Sequence, residues 1–264
     1  MKIGISTASL FGRYYSEDAL EFFNKNKIYN AEVFLESYGE YEPTFADVLN
    51  GKKGNVNVHS VHTLTTQFEP QLFSLNDRAM EDSFNILEKV MTCAEKIGAK
   101  YYTFHGQARL KKLPIIINFD RTGEITNRII DVCENHGVAL AFENVHWSYY
   151  NYVGFYSELK KRASRLKATL DIKQARLSNV FYGDFIKEMG GDIVTVHLSD
   201  VKEDGKMCLP GKGVTNFNDL FSRLSDVGFD GAFIIESYQK DFEKEEELFE
   251  SLEFLNEIKE KIFK

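Results

Sequence analysis

Three carboxylates and one imidazole recur along the second half of the sequence at intervals that suit a repeated structural unit. The intervals are 28, 26 and 39 residues, and we call this set the quartet: Glu143, Asp171, His197 and Glu236. Carboxylate oxygens combined with one imidazole nitrogen form a hard, oxygen-rich donor set that suits Mn²⁺, Mg²⁺ or Co²⁺ and also accommodates Zn²⁺. The quartet therefore predicts a site for one divalent metal ion.

Glu143 shows most directly why such residues need a partner. It ends the apolar run "ALAFE" (139–143), which predicts a strand buried on both faces. A buried carboxylate without a partner costs several kcal/mol, or it takes up a proton instead. A metal ion shared with the rest of the quartet would supply the missing positive charge.

The elements that must position these side chains alternate along the chain. Eight short aliphatic or β-branched runs predict strands, at residues 2–7, 31–37, 56–62, 101–107, 139–145, 168–174, 193–200 and 231–237. Amphipathic stretches separate them, the clearest from Asp77 to Ile97, and Gly98 suits the end of that helix. Eight alternations predict an α/β fold, a single (β/α)8 TIM barrel domain over residues 1–264. The competing doubly wound sheet usually carries a G-x-G-x-x-G turn after its first strand, and this sequence has none there.

In such barrels the active site lies at the C-terminal ends of the strands. The quartet falls at the ends of predicted strands five to eight, and His62 and His105 fall on strands three and four. A single histidine in a strand is more often a core residue with its hydrogen bonds satisfied, but six polar side chains at one rim have no such explanation. Strand alternation places His59, three residues before His62, on the opposite face.

The overall composition restricts the functional classes. The 264 residues are 43% hydrophobic, and the net charge is −8. Nucleic-acid binding usually needs a basic face, so this balance argues against a nucleic-acid partner. No apolar run is as long as a membrane span, the start "MKIGIST" predicts a strand instead of a signal peptide, and the three cysteines form no C-x-x-C pair. We therefore expect a cytoplasmic protein with no membrane partner, and the sequence leaves open whether it forms a homo-oligomer.

The sequence resembles the xylose isomerase-like TIM barrels, a family of sugar and sugar phosphate isomerases and epimerases that is related to the apurinic endonuclease IV family. The resemblance covers essentially the whole chain and rests on five motifs: "FEN" (142–144), "LDIKQA" (170–175), "VHLSD" (196–200), "PGKG" (210–213) and "IIES" (234–237). It implies that the quartet supplies the metal ligands. It also implies that His62 and His105 match histidines of the family on strands three and four.

Two positions depart from the pattern of the family. Many relatives have histidine where this chain has Gln174, and many have glutamate where it has Lys212. The endonuclease pattern also needs an Asp-x-His before the last glycine-rich loop. The segment "EDGKMCLPGKG" (203–213) contains no histidine, which argues against an endonuclease IV-like hydrolase.

The resemblance and the quartet together lead to one preferred activity. We expect a metal-dependent isomerase or epimerase of a hydroxy-ketone sugar or sugar phosphate, acting by proton transfer through an enediolate, with Glu143 and Glu236 as the catalytic acid–base pair. The sugar or polyol substrate would be contacted by a further set of residues: His62, His105, Trp147, Gln174 and Lys212. Two alternatives stay open, namely a lyase of the same family that resembles inosose dehydratase, and a non-catalytic ligand-binding barrel.

Overall fold

Eight parallel strands close into a barrel in the computed structural model, which describes residues 1–64, 67–109 and 116–263. Neighbouring strands follow the order of the chain around the ring, and β8 closes it by pairing with β1. The strands are β1 (Lys2–Ser6), β2 (Asn30–Leu35), β3 (Asn57–Thr63), β4 (Tyr101–Phe104), β5 (Ala139–Glu143), β6 (Lys167–Asp171), β7 (Ile193–Leu198) and β8 (Ala232–Ile235). The predicted α/β class and closed TIM barrel are confirmed.

Helices cover the outside of the barrel. Within the described residues they are α1 (Ser16–Lys25), α2 (Phe45–Lys53), α3 (Asp77–Ile97), α4 (Phe119–Asn135), α5 (Phe155–Lys160), α6 (Ile172–Leu177), α7 (Tyr182–Met189), α8 (Phe217–Asp226) and α9 (Glu246–Ile262). Helix α3 has the predicted bounds because Asn76 caps its first turn and Gly98, at φ +82°, ends it in the left-handed region. None of the described helices combines the length and the apolar composition that a membrane span requires.

The junction between β6 and α6 places Asp171 at the rim. The predicted strand over residues 168–174 is wrong at its end, since the chain becomes helical at Ile172. The reason is local: the Oδ1 atom of Asp171 accepts the backbone N–H of Gln174 at 2.8 Å and caps the helix. The second oxygen, Oδ2, faces the other members of the quartet.

A register shift places His59 inside the barrel, which makes the expectation from strand alternation wrong. The pairing of β2 with β3 shifts by one residue between Ala31 and Glu32. The Nε2 atom of His59 lies 3.1 Å from the carbonyl oxygen of Val194 and 3.0 Å from Oγ1 of Thr195, on the opposite side of the barrel. Burial lowers the pKa of His59 to about 4.

One carboxylate organises the loop that follows β7. A short antiparallel hairpin pairs Asp200–Val201 with Met207–Cys208. The buried carboxylate of Asp200 accepts four backbone N–H groups, from Val201, Gly211, Gly213 and Thr215. The loop therefore depends on a carboxylate with all its acceptor positions in use.

Replacing Asp200 by Asn should destabilise the protein by about 2 kcal/mol, because the new NH₂ group would face N–H donors that need an acceptor. Urea unfolding should show a lower midpoint with an unchanged slope. Asp204→Asn is a matched control in the same loop, since exposed Asp204 accepts one backbone N–H. Equal midpoints for the two variants would contradict this role of Asp200.

Candidate metal centre and active site

The quartet converges at the C-terminal rim of the barrel. Glu143 and Asp171 are the last residues of β5 and β6, His197 lies in β7, and Glu236 directly follows β8. One ligand atom from each of the four lies within 4.8 Å of the others. The side chains of Glu143, Asp171 and His197 are almost completely buried, and that of Glu236 is 16% exposed. Residues up to 93 positions apart in the sequence thus form one compact donor set.

The Nδ1 atom of His197 lies at the centre of this set. It is 2.5 Å from Oε2 of Glu236, 3.6 Å from Oε1 of Glu143 and 3.9 Å from Oδ2 of Asp171. Despite these short distances, Nδ1 of His197 and Oε2 of Glu236 make no hydrogen bond of acceptable geometry with a described residue. Buried polar atoms are normally satisfied, so this arrangement fits a divalent cation bound between them.

The electrostatics of the quartet also favour a bound cation. Burial raises the pKa of Asp171 to about 7, against the opposing charge of Lys173, and the carboxylates of Glu143 and Glu236 add to the rise. Burial lowers the pKa of His197, but the surrounding carboxylates outweigh it and raise that pKa well above its usual value. The raised pKa of His197 reflects the nearby carboxylates and that of Asp171 mainly its burial; a divalent cation bound among these groups would stabilise the charged carboxylates.

The other nitrogen of His197 is held by Glu32, a residue that the sequence analysis did not single out. Nε2 of His197 lies 3.0 Å from Oε1 of Glu32, whose side chain is completely buried in the barrel. A carboxylate acceptor at Nε2 keeps the proton on that nitrogen and directs the lone pair of Nδ1 toward the quartet. Glu32 therefore orients Nδ1 of His197 toward the carboxylates of the quartet.

Glu32 also connects three other side chains. Nδ1 of His62 lies 2.7 Å from Oε1 of Glu32, while Oε2 accepts the hydroxyls of Ser60 at 2.7 Å and Thr103 at 2.9 Å. Burial opposes ionisation of Glu32, but His197 and His62 outweigh it and hold its pKa well below the usual range. The same carboxylate thus positions both histidines.

Glu32→Gln is expected to weaken Mn²⁺ binding by about 10- to 100-fold, as is typical when the residue that orients a ligating histidine is lost. Glutamine keeps the shape of the side chain but replaces one of the two acceptor oxygens with a donor. Equilibrium dialysis with Mn²⁺ would measure the change, and Glu81→Gln on the surface of α3 serves as the control. Identical affinities for the two variants would contradict this role of Glu32.

His105 connects the quartet to a second buried carboxylate that the sequence analysis missed. Nε2 of His105 lies 3.1 Å from Oε2 of Glu143, and Nδ1 lies 3.5 Å from Oε2 of Glu69. Glu69 in turn accepts the backbone N–H of His105 at 3.0 Å and the hydroxyl of Tyr102 at 2.7 Å. Burial lowers the pKa of His105, but Glu143 and Glu69 outweigh it and raise that pKa to about 10.

A cavity of about 240 Å³ opens directly over the quartet. Glu143 and Glu236 line it, and so do four of the five predicted substrate-binding residues: His62, His105, Trp147 and Gln174. The ring of Trp147 lies 5.7 Å from that of His105. The side-chain oxygen of Gln174 lies 2.6 Å from Nδ1 of His146 and accepts the backbone N–H of the same residue.

The fifth predicted residue, Lys212, lies elsewhere. It does not line this cavity, and its ammonium group pairs with the carboxylate of Glu250 on α9. The flanking glycines, Gly211 and Gly213, donate to Asp200 instead. The structure therefore does not bring Lys212 together with the quartet.

Comparison with known proteins identifies the family of the chain. The family described as "Xylose isomerase-like TIM barrel" matches residues 18–258. The chain belongs to this family. The resemblance inferred from the motifs is thereby confirmed. Among curated proteins, none matches the chain.

Solved structures of other xylose isomerase-like barrels share the fold at low sequence identity. A D-psicose 3-epimerase from Clostridium cellulolyticum H10, solved with D-tagatose, has a TM-score of 0.79 and 15% identity over 100% of both chains. A 3-keto-D-glucoside 4-epimerase from E. coli has a TM-score of 0.75 and 13% identity, over 97% of this chain and 99% of that chain. The IOLI protein, solved with a zinc atom, has a TM-score of 0.75 and 15% identity, over 99% of this chain and 98% of that chain.

Proposed function

We propose that this protein is a divalent-metal-dependent epimerase or isomerase of a hydroxy-ketone sugar. One observation carries the proposal: Glu143 and Glu236 belong to the quartet, and both also line the cavity above it. They come from β5 and β8, which two other strands separate around the ring. Two carboxylates that approach a bound sugar from different sides are what removal and return of a proton require.

The metal and the two glutamates have separate tasks in this proposal. A bound Mn²⁺, Mg²⁺, Co²⁺ or Zn²⁺ ion would act as a Lewis acid that makes the C–H next to a ketone more acidic. Glu143 would accept that proton on one face of the carbon, and Glu236 would return a proton on the other face. The configuration at this carbon would thereby invert.

The rest of the cavity suits a polyhydroxylated ligand. His62, whose Nδ1 is held by Glu32, would present Nε2 to a substrate hydroxyl, and His105, held by Glu69, would contact the sugar from the same cavity. Trp147 offers an aromatic face, which packs well against the C–H side of a sugar. The structural neighbours support this proposal, because several are epimerases of sugars.

A substrate screen tests the proposal. The protein loaded with Mn²⁺ would be incubated with free ketoses, ketose phosphates and inososes, and the products identified by NMR. We expect at least one epimer or isomer to form, with activity lost after chelation and restored by the metal. Loss of water from an inosose would favour the lyase alternative instead, and metal-dependent binding without any conversion would favour the binding protein.

A further inference from the structure

A second cavity shares no lining residue with the cavity over the quartet, and the proposed chemistry does not use it. Its volume is about 430 Å³, and it lies between α6, the start of α7 and the loop after β7. We call it the side chamber. The polar side chains that line it include Lys173, Arg176, Asn179, Ser199 and Asn216.

Lys173 stands between the two cavities. Its Nζ atom lies 3.9 Å from Oδ2 of Asp171 in the quartet and 4.5 Å from the ring centre of Tyr238, which lines the first cavity. The side chain is only 3% exposed, yet Nζ makes no hydrogen bond with any residue in the described ranges. A buried ammonium group normally donates hydrogen bonds, and the 3.9 Å ion pair with Asp171 is too long to be one, so the N–H donors of Lys173 remain available to a ligand.

Ser199 is a second buried donor that makes no hydrogen bond with a described residue. It directly follows β7, is 3% exposed, and lines the side chamber. Its hydroxyl makes no hydrogen bond within the described part of the chain. Two polar groups that are each more than nine-tenths buried thus line the same chamber: a hydroxyl without a hydrogen bond to a described residue, and an ammonium group whose ion pair with Asp171 is 3.9 Å long.

The charge of the chamber is positive. Arg176 lines its outer part, and within the described residues its guanidinium group forms no ion pair. Asp200 is the acidic residue of the lining, but its oxygens already accept four backbone N–H groups. Lys173 and Arg176 therefore place two cations in a lining that has one carboxylate, and backbone N–H groups already occupy the acceptor positions of that carboxylate.

We propose that the side chamber binds an anionic group, a phosphate ester or a carboxylate, carried at the far end of the sugar whose reacting carbons lie over the quartet. The assignment to a sugar rests on the proposed function, whereas anion binding by the chamber does not. Lys173 would contact the anion from the inner side and Arg176 from the outer side, with Ser199 donating a hydrogen bond. The physiological substrate would then be a ketose phosphate or a keto acid sugar instead of a neutral ketose.

Anion binding can be measured without any turnover. Calorimetric titration of the Mg²⁺-loaded protein would use inorganic phosphate and acetate as separate probes, which distinguishes the two anion classes. We expect Arg176→Gln and Ser199→Ala each to weaken binding of the preferred anion about tenfold, the effect of one lost charge-assisted hydrogen bond. Arg78→Gln is the matched control, because Arg78 is exposed and lines neither cavity.

Two results would overturn the proposal: no anion binding by the wild-type protein, or equal affinity in Arg176→Gln, Ser199→Ala and wild type.

A kinetic comparison extends the test to the substrate. The wild-type kcat/KM should be at least about tenfold higher for the anionic ketose than for its neutral counterpart, and Arg176→Gln should reduce this ratio mainly through KM. Anion binding that is weakened in the variants, without turnover of any sugar, would contradict the proposed function but support anion binding by the side chamber. Turnover with no preference for an anionic substrate would support the proposed function but contradict the role of the side chamber.

Discussion

Replacing Glu143 or Glu236 by glutamine is expected to lower kcat by at least about 10²- to 10⁴-fold, the usual contribution of one general acid or base. Glutamine keeps the shape and one oxygen that can bind metal, but it cannot accept a proton at neutral pH. Because each glutamate also belongs to the quartet, part of the loss would come from weaker metal binding. Metal content must therefore be measured alongside kcat for every variant.

The single and double variants should differ in a way that a structural defect would not produce. Each single variant retains one base, which can still remove and return a proton on its own face, so slow exchange of the substrate proton can persist without product. The double variant should neither exchange nor turn over. Glu95→Gln on the surface of α3 is the control and should keep the activity of the wild type. Full activity in metal-loaded Glu143→Gln would exclude this residue as the base.

Replacing His197 by alanine should abolish metal binding together with the stability that the metal provides. Nδ1 of His197 lies within 3.9 Å of three carboxylates, so its removal takes away the central donor of the quartet. A ligand that binds only the folded state stabilises it by about 2.7 kcal/mol at 100 times its Kd. Added Mn²⁺ should therefore raise the Tm of the wild type and leave that of the variant unchanged.

His136 provides the control for this experiment. It follows the last residue of α4 and pairs with Glu88 and Glu95 on α3, and it lines neither the cavity over the quartet nor the side chamber. His136→Ala should respond to Mn²⁺ as the wild type does. Equal increases in Tm for wild type and His197→Ala would show that the ion binds elsewhere.

The convergence of the quartet could be predicted because each of its residues is recognisable from the sequence of its own strand. A polar residue at the end of a buried apolar run is visible in the sequence, and the fold class then fixes where that end lies. The error at Asp171 was also local: its capping of α6 ends β6 earlier than the apolar run suggests. The ends of helices and strands depend on such caps, whereas the order of the elements depends on the alternation of apolar and amphipathic stretches along the whole chain.

The residues that orient the quartet could not be predicted in the same way. Glu32 lies inside a strand and reaches His197 across 165 positions of sequence, so no spacing indicates the contact. Glu69 precedes α3 in a short 3-10 helix and resembles a surface residue until the fold buries it against His105. Lys173 lies within the motif "LDIKQA" (170–175), but the sequence does not indicate that its side chain is buried without a hydrogen bond to a described residue.

The central claim, that Glu143 and Glu236 move a proton to and from the carbon next to a ketone, is tested most directly by isotope labelling. The wild-type protein with bound Mn²⁺ would convert the substrate found by the screen in D₂O, and NMR would locate deuterium in product and residual substrate at early conversion. We predict that each product molecule carries solvent deuterium at the inverted or rearranged carbon. Product formed without solvent deuterium would contradict the proton relay and would instead require internal transfer of hydrogen between two carbons.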